Sequence, residues 1–305
     1  MIEVAAGILI DDRGRVLLMQ RLPGKHLAGL WEFPGGKLEP GETVEHALVR
    51  ELDEELGIEV LASEPLISLP WHYPEKSVRL HALRVTKWRG EPRAREGHPL
   101  RWSALRDVDV TTMPPADAPI VIALRLPACY AIVDPGALPA QNLVSRGDAP
   151  LRTLWQLRRP GAVPGEIRRA VQDALAVDPE RRVSLLVNHD VELARELGVG
   201  VHLKAAQLRR LSARPLPRDA WVGASCHDAE ELERAAALGA DFATLSPVCA
   251  TASHPGVRPL GWERFAHLVA GARLPIYALG GVGPDDLERA RAAGAQGVAG
   301  IRAFR

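Results

Sequence analysis

Three glutamates are spaced so that a single helix would bring their carboxylates together. Glu51, Glu54 and Glu55 stand three and four positions apart, and residues with that spacing share one face of an α-helix. Carboxylates so close together repel one another unless a cation lies between them. Hard oxygen ligands in this number suit Mg2+ or Mn2+, which also bind phosphate oxygens. The glutamates therefore predict a divalent metal site suited to a phosphate-bearing substrate.

The neighbouring residues predict the helix that positions these glutamates. Residues 42–56 contain neither proline nor glycine, and Thr43 is a suitable N-cap, so we expect a helix of about 13 residues. Gly57 is expected to end the helix in the left-handed conformation that a C-cap favours. Before the helix, Gly35 and Gly36 would let the backbone approach a metal ion and phosphate groups closely.

The region from Gly36 to Ile58 reads GKLEPGETVEHALVRELDEELGI. It resembles the Nudix box, the signature of enzymes that cleave a nucleoside diphosphate linked to another group. A solvated acidic helix face is the alternative explanation of these charges, since surface charges are common. That alternative does not explain why Glu42, Arg50 and Gly57 stand in register with the glutamates, so the resemblance is favoured.

Residues 1–125 resemble the MutT branch of the Nudix family, whose members hydrolyse 8-oxo-dGTP to the monophosphate and pyrophosphate. The matching motifs outside the box are Gln20-Arg21, His26, Trp31-Glu32-Phe33-Pro34-Gly35-Gly36, Trp88-Arg89-Gly90-Glu91-Pro92, Arg95-Glu96-Gly97 and Met113-Pro114-Pro115-Ala116-Asp117-Ala118-Pro119-Ile120. The resemblance implies an α/β/α sandwich with a mixed sheet, and residues 4–9 and 16–20 are predicted to be two strands of it. It also implies Mg2+ as the cofactor, with Mn2+ as an alternative.

The resemblance assigns catalytic roles to individual residues. The implied metal ligands are four carboxylates and one backbone carbonyl, of Glu51, Glu54, Glu55, Glu96 and Gly35. The bound metal would clamp a triphosphate, neutralise charge on the leaving group and activate water. Arg50 would hold a box carboxylate in place through a bidentate pair. The base that deprotonates the water is left open between Glu96 and Glu51.

A second implied set contacts the nucleotide, and it consists of Arg21, His26, Glu32, Phe33, Pro34, Gly35 and Asp117. Arg21 suits a phosphate or a carbonyl oxygen. Asp117 departs from the family, because MutT proteins commonly carry Asn there. An ionised Asp only accepts hydrogen bonds, so it would suit the N7–H of the oxidised base but repel its O6 edge unless protonated. The alternative role of Asp117 is to cap the following helix.

Composition sets the broad class of protein. The chain has 305 residues, 47% hydrophobic and 25% charged, and a formal net charge of +0. Neutrality implies no general attraction to nucleic acid or to anionic membranes. Three cysteines without metal-ligand spacing suit a reducing cytoplasm. The N-terminus lacks the basic region of a signal peptide, and no apolar stretch approaches the roughly 20 residues of a membrane span. We therefore expect a cytoplasmic enzyme that binds free nucleotides, with no stable binding of nucleic acid and no membrane association.

We predict a domain boundary after residue 126, because Pro127 prevents the preceding helix from continuing. Residues 1–126 would form the Nudix domain and residues 127–305 a second domain. The second domain contains eight short apolar runs, at residues 129–133, 153–157, 183–187, 200–203, 221–224, 242–245, 276–279 and 297–299. Amphipathic segments separate them, which indicates a (β/α)8 barrel. A doubly wound open sheet is the alternative, and the number of runs disfavours it.

The second domain resembles the thiamine phosphate synthase family, including its TenI-type relatives. Matching motifs run through the domain and include Trp155-Gln156-Leu157-Arg158, Val187-Asn188, Gly200-Val201-His202-Leu203, Gly223-Ala224-Ser225-Cys226-His227 and Ala278-Leu279-Gly280-Gly281-Val282. A phosphorylated small molecule is the implied ligand, and Gly280, Gly281 and Gly300 stand where barrels commonly bind phosphate. Tight turns required by barrel closure are the alternative explanation of these glycines.

The acidic residues of the synthase are absent. His189 stands where the family binds Mg2+ with Asp, Lys204-Ala205-Ala206-Gln207 replaces a Gly-Gln-Glu-Asp motif, and Pro160 replaces a lysine. The loop that ends in lysine in the family reads Thr251-Ala252-Ser253-His254 here. Without the acidic pair Mg2+ is poorly supported, so we expect no pyrophosphorylase activity.

The barrel residues that the family uses and this chain retains are Gln156, Arg158, Asn188, Ser225 and His227. TenI-type relatives use a histidine at the position of His227 for proton transfer on a thiazole phosphate, and its ordinary pKa suits that work. Two further hypotheses follow. The barrel could be a non-catalytic scaffold or a dimerisation module, which the sequence favours for the second domain and which leaves a homodimer open. Alternatively, the Nudix domain could cleave thiamine-related or other diphosphates beside a TenI-like isomerase barrel.

Overall fold

The protein is described by a computed structural model, which covers residues 1–137, 153–159, 161, 163–177, 179–251 and 256–301. The chain divides into two compact units, Met1–Arg125 and Leu126–Arg305. Pro160 and residues 252–254, which differ from the synthase family in the sequence, lie outside the described residues. Within the described ranges, no helix combines the length and the apolar character needed to cross a bilayer.

The first unit, which is described throughout, contains seven strands and two α-helices. The strands are β1 (Ile2–Leu9), β2 (Arg15–Gln20), β3 (Trp31–Glu32), β4 (Gly35–Lys37), β5 (Glu59–Tyr73), β6 (Lys76–Arg89) and β7 (Leu100–Ala104). The helices are α1 (Val44–Leu56) and α2 (Ala118–Arg125). The strands form a four-stranded mixed sheet in the order β4-β1-β6-β5 and a three-stranded antiparallel sheet in the order β3-β2-β7.

Residues 4–9 and 16–20 are strands as predicted, but they do not share one mixed sheet. β1 pairs along its whole length with β6, whereas β2 pairs with β7. The two strands are connected only by an isolated bridge between Ile10 and Val16. The prediction of a shared sheet was wrong because each strand pairs with a different strand that is distant in the sequence.

The helices cover opposite faces of the sheet, which confirms the predicted α/β/α sandwich. Successive residues of a strand point to opposite faces, so Ala5 packs in the cluster that contains Leu48 and Leu52 of α1. Ala6 packs in the cluster that contains Ile120 of α2. This alternation anchors α1, and with it the glutamates, against the centre of the sheet.

Helix α1 has the predicted bounds. The Thr43 side chain accepts a hydrogen bond from the His46 amide at 3.2 Å, and Gly57 ends the helix with a φ of 70°. Leu48, Leu52 and Leu56 are fully buried. The caps and the apolar face together determine how far the helix extends and which way its glutamates point.

The described residues of the second unit form a closed barrel of eight parallel strands, which confirms the predicted fold. The strands are β8 (Cys129–Val133), β9 (Thr153–Leu157), β10 (Leu185–Asn188), β11 (Gly200–Leu203), β12 (Val222–Cys226), β13 (Phe242–Leu245), β14 (Ile276–Leu279) and β15 (Gly297–Gly300). β15 pairs with β8 and closes the barrel. The α-helices are α3 (Pro164–Val177), α4 (Val191–Leu197), α5 (Ala205–Leu208), α6 (Ala229–Leu238), α7 (Gly261–Ala270) and α8 (Leu287–Ala292).

Two of the eight strands begin later than the apolar runs predicted. β10 begins at Leu185 because Pro179–Ser184 forms a 3-10 helix in which Val183 is exposed. β12 begins one residue after Trp221, whose indole N–H donates to the Val183 carbonyl at 2.8 Å. In both cases the apolar residue that starts the run lies outside the strand.

Candidate active site

Glu55 is the buried carboxylate of helix α1. Its side chain is 9% exposed, and its Oε2 accepts a hydrogen bond from the Gly35 amide at 2.9 Å. Burial, together with the negative charges of Glu51, Glu32 and Glu96, raises the pKa of Glu55 to about 8. A cation bound there would stabilise the ionised carboxylate and release the proton.

Arg50 connects Glu42, which precedes the helix, with Glu51 and Glu54 of the helix. Its guanidinium forms a bidentate pair with Glu42, with distances of 3.0 Å from Nε and 2.9 Å from Nη2. Nη1 donates to Glu51 at 2.9 Å and to the exposed Glu54 at 3.4 Å. Nη2 also donates to the Lys37 carbonyl at 3.0 Å. The predicted bidentate partner is therefore Glu42, and Arg50 positions Glu51 by a single bond.

Gly35 and Gly36 bring the backbone against these carboxylates. Gly35 has a φ of 141°, and a Cβ there would lie 2.1 Å from the Ala5 carbonyl oxygen. A Cβ on Gly36 would lie 2.2 Å from the Glu51 carboxyl carbon. Only glycine at both positions permits this approach.

Glu96 lies next to the helix carboxylates although it is distant in the sequence. Carboxylate oxygens of Glu55 and Glu96 and a ring nitrogen of His98 all lie within 4.8 Å of one another. Two carboxylates and an imidazole that converge in this way fit a divalent cation. We did not single out His98 from the sequence, and its position two residues after Glu96 is the signal that could have indicated it.

Arg21 and His26 are held by neighbouring side chains at the edge of the unit. Arg21 forms an ion pair with Glu32, and its Nε donates to the His26 carbonyl at 2.6 Å. Burial raises the pKa of Glu32 despite that pair. His26 Nε2 lies 2.6 Å from Glu75 Oε1, and its ring packs edge-on against Tyr73 at 5.2 Å. Arg21 and Glu32 are thus brought together, while His26 is engaged with the turn between β5 and β6.

Asp117 is buried beside the loop that precedes β4. Its Oδ1 lies 3.5 Å from the amide of Phe33, which is itself buried, and Pro34 in the same loop accepts from the Gly7 amide at 2.8 Å. Burial, and secondarily the charge of Glu32, raises the pKa of Asp117 to about 8. A protonated carboxyl offers one donor and one acceptor, as Asn does. Within residues 1–125, which are all described, the Asp117 side chain makes no bond to the first turn of α2.

The barrel contains a cavity of about 700 Å³ at the carboxyl ends of its strands. Every barrel residue predicted for the site lines it, namely Gln156, Arg158, Asn188, Ser225, His227, Gly280, Gly281 and Gly300. Lys204 and His202 line it too. Among the described residues that line this cavity none is acidic, so its charged side chains are cationic.

The floor of the cavity is an oriented chain of hydrogen bonds. Tyr130 donates to Gln156 Oε1 at 3.1 Å, and Gln156 donates to Asn188 Oδ1 at 2.9 Å. His202 Nδ1 lies 2.9 Å from the Tyr130 hydroxyl oxygen. Because the Tyr130 hydroxyl already donates its proton to Gln156, His202 Nδ1 must be the donor in this second bond. His202 Nε2 then accepts from Ser225 at 3.0 Å. Burial lowers the pKa of His202 to about 3, which keeps the ring neutral.

Two further barrel features bear on the predicted residues. His227 Nδ1 lies 2.9 Å from Glu231 Oε2, a carboxylate partner four residues on that we did not recognise in the sequence. Gly280 and Gly281 have φ values of 95° and 68°, and a Cβ on Gly281 would lie 2.6 Å from the Ala250 carbonyl oxygen. The turn therefore requires glycine whether or not a phosphate binds there.

The fold and the carboxylate cluster define a Nudix-type unit followed by a parallel barrel. The profile described as "NUDIX domain" matches residues 5–123, and the profile described as "Thiamine monophosphate synthase" matches residues 129–304. The chain belongs to both families, the first through its N-terminal unit as a Nudix hydrolase and the second through its barrel.

Individual relatives match one unit each. An "8-oxo-dGTP diphosphatase" of Haemophilus influenzae is 42% identical over 121 residues, which cover 40% of this chain and 89% of the relative. A "CTP pyrophosphohydrolase" of Escherichia coli is 42% identical over 123 residues, which cover 40% of this chain and 90% of the relative. A "Putative thiamine-phosphate synthase 2" of Aquifex aeolicus is 31% identical over 186 residues, which cover 59% of this chain and 99% of the relative.

Proposed function

We propose that the Nudix unit hydrolyses 8-oxo-dGTP to 8-oxo-dGMP and pyrophosphate and so removes an oxidised nucleotide from the cytoplasmic pool. The observation that carries this proposal is the convergence of Glu55 and Glu96 beside Gly35, in a unit that also buries Asp117. The name of the Haemophilus relative supports it.

Mg2+, or Mn2+ as an alternative, would be held by Glu51, Glu54, Glu55, Glu96 and the Gly35 carbonyl. When bound, the ion would neutralise charge on the leaving pyrophosphate and acidify the attacking water. Arg50 keeps Glu51 in position, and Arg21 offers a planar set of donors to a phosphate or base oxygen. Glu96 and Glu51 remain the two candidates for the base.

Asp117 would read the oxidised base as a neutral acid. In that state its carbonyl oxygen accepts from N7–H and its hydroxyl donates to O6, which is the pattern an Asn would present. Unoxidised guanine has no proton on N7 and loses one of these bonds. Contacts of this kind discriminate strongly because an unmatched buried polar group is costly.

The test is the ratio of kcat/KM for 8-oxo-dGTP to that for dGTP in the presence of Mg2+, followed by pyrophosphate release. We expect a ratio of about 100 or more, equivalent to about 2.7 kcal/mol of transition-state discrimination. CTP should be included because of the Escherichia coli relative. Comparable weak hydrolysis of all three would contradict the proposal and direct attention to thiamine-related diphosphates.

Base selectivity should depend on pH through Asp117. Its pKa is raised to about 8, so the preference for 8-oxo-dGTP should decline as pH rises through that value and the carboxyl ionises. Asp117→Asn should keep the preference and remove the decline, since the amide does not titrate. The measurement is the kcat/KM ratio between pH 6.5 and pH 9.5, and an identical decline in both proteins would rule out Asp117 as its cause.

Asp117 should also make the free energy of unfolding depend on pH. The folded pKa of Asp117 lies above its unfolded value, so the stabilising contribution is complete below pH about 4 and is lost as pH rises to about 8. Relative to the wild type, Asp117→Asn should therefore gain in free energy of unfolding across that window. Urea titrations at pH 5 and pH 8 would measure the difference, and an equal difference at both values would contradict it.

For the barrel we propose binding of a phosphorylated small molecule without a divalent metal. The cavity and its cationic lining favour this over a scaffold or a dimerisation module, and over a TenI-like isomerase acting through His227. Lys204 would supply the positive charge that Mg2+ supplies in the synthase family. The ligand's phosphate would lie at Gly280, Gly281 and Gly300.

Calorimetry with a thiazole phosphate in EDTA tests the barrel proposal. Binding should persist in EDTA and weaken by about tenfold or more in Lys204→Glu, because like charges placed together are costly. Arg210→Glu, an equal charge reversal at an exposed barrel residue outside the cavity lining, is the matched control. Loss of binding in EDTA, or equal weakening in both variants, would contradict the proposal.

A further inference from the structure

His98 is held in one orientation by the backbone. Its side chain is buried in the loop before β7, and Nδ1 lies 3.1 Å from the carbonyl oxygen of Gln20 in β2. A carbonyl oxygen only accepts hydrogen bonds, so Nδ1 must carry the proton. In the neutral ring, Nε2 is then the nitrogen with a free lone pair.

That lone pair faces another acceptor. His98 Nε2 lies 3.4 Å from Glu96 Oε2, and Glu55 completes the group within 4.8 Å. Two acceptors that face each other repel unless a proton or a cation lies between them. Either a proton or a metal cation must therefore lie between His98 Nε2 and Glu96 Oε2.

The way the donors are supported favours a cation. Histidines that bind metals almost always donate their other ring proton to a carbonyl or a carboxylate, as His98 does to Gln20. Glu55 is held in turn by the Gly35 amide at 2.9 Å. Two of the three donors are thus positioned by backbone groups of different strands.

We propose that His98 Nε2 is a nitrogen ligand of the divalent ion that Glu55 and Glu96 bind, and that it shifts the preference of this site from Mg2+ toward Mn2+ and Co2+. A nitrogen ligand adds affinity for first-row transition ions, more for Co2+ than for Mn2+, whereas Mg2+ favours oxygen ligands alone. The inference rests on the proposed function, because it takes Glu55 and Glu96 as metal ligands.

Pulsed EPR of Mn2+ bound to the full chain tests the ligand directly. A nitrogen-14 coupling to the bound ion is expected in the wild type and should disappear in His98→Gln, whose amide can still donate to the Gln20 carbonyl. His46→Gln, which removes an exposed histidine from α1, should retain the coupling. Thermal unfolding of each variant checks that the fold persists.

Equilibrium binding provides the second measurement. The ratio of Mn2+ to Mg2+ affinity should fall by about tenfold or more in His98→Gln and stay unchanged in His46→Gln. Mn2+ binding without nitrogen coupling in the wild type, or coupling that survives His98→Gln, would overturn the inference while leaving the hydrolase proposal intact. Absence of Mn2+ binding at Glu55 and Glu96 would overturn both.

Discussion

Replacing Glu55 by Gln is expected to lower kcat/KM for nucleoside triphosphate hydrolysis by at least about a hundredfold while the fold persists. Outer partners of metal ligands already cost about 10–100-fold when mutated, and Glu55 would be a direct ligand. The Gln side chain keeps an oxygen that can accept from the Gly35 amide, so the buried hydrogen bond is retained. What is lost is the negative charge that binds the ion.

Steady-state kinetics with Mg2+ measure the loss of kcat/KM, and an unfolding titration in EDTA measures whether the fold persists. The folded pKa of Glu55 is raised to about 8, so its stabilising contribution is lost as pH rises from about 4.5 to about 8. Glu55→Gln should accordingly be no less stable than the wild type at pH 8 without metal. Glu45→Gln, an exposed change in the first turn of α1, is the matched control. Near-normal hydrolysis by Glu55→Gln would overturn the metal assignment.

Gly35→Ala and Gly36→Ala are expected to fail in different ways. A Cβ on Gly35 would meet the Ala5 backbone at 2.1 Å, in a conformation with φ of 141° that alanine rarely adopts. The clash would be between the backbones of two hydrogen-bonded strands, β4 and β1, so we expect a loss of about 3 kcal/mol or more in free energy of unfolding. A Cβ on Gly36 would meet only the end of the Glu51 side chain, which can rotate away.

Gly36→Ala should therefore stay folded but lose most of its hydrolysis, because Glu51 would leave its place beside the other carboxylates. Chemical denaturation separates the two variants from each other, and kinetics separates Gly36→Ala from the wild type. Equal stability of Gly35→Ala and the wild type would mean that the loop relaxes more than the described geometry allows.

Local features were predictable because their causes are local. The bounds of α1 follow from the Thr43 cap and the Gly57 terminus, and the shared face of Glu51, Glu54 and Glu55 follows from helical periodicity. Seven of the eight apolar runs of the barrel lie within strands or one residue outside them. The run at residues 183–187 is the exception, because a 3-10 helix precedes that strand.

The features that were missed depend on tertiary packing. Nothing near His98 in the sequence indicates that Gln20, 78 residues away, would orient its ring. The protonation state of Asp117 depends on how completely the fold buries its side chain, and a sequence pattern does not report burial to that degree. The separate sheets of β1 and β2 arise from partners elsewhere in the chain.

The oriented floor of the barrel restricts what could bind above it. The Ser225 hydroxyl donates its only proton to His202, so its oxygen presents lone pairs to the cavity. Asn188 uses its oxygen to accept from Gln156, so its amide N–H groups remain to donate. A molecule that fits would carry a hydrogen-bond donor toward Ser225 and an acceptor toward Asn188. The positions of these donors and acceptors, more than the cavity volume, would therefore determine which candidate phosphates are worth testing.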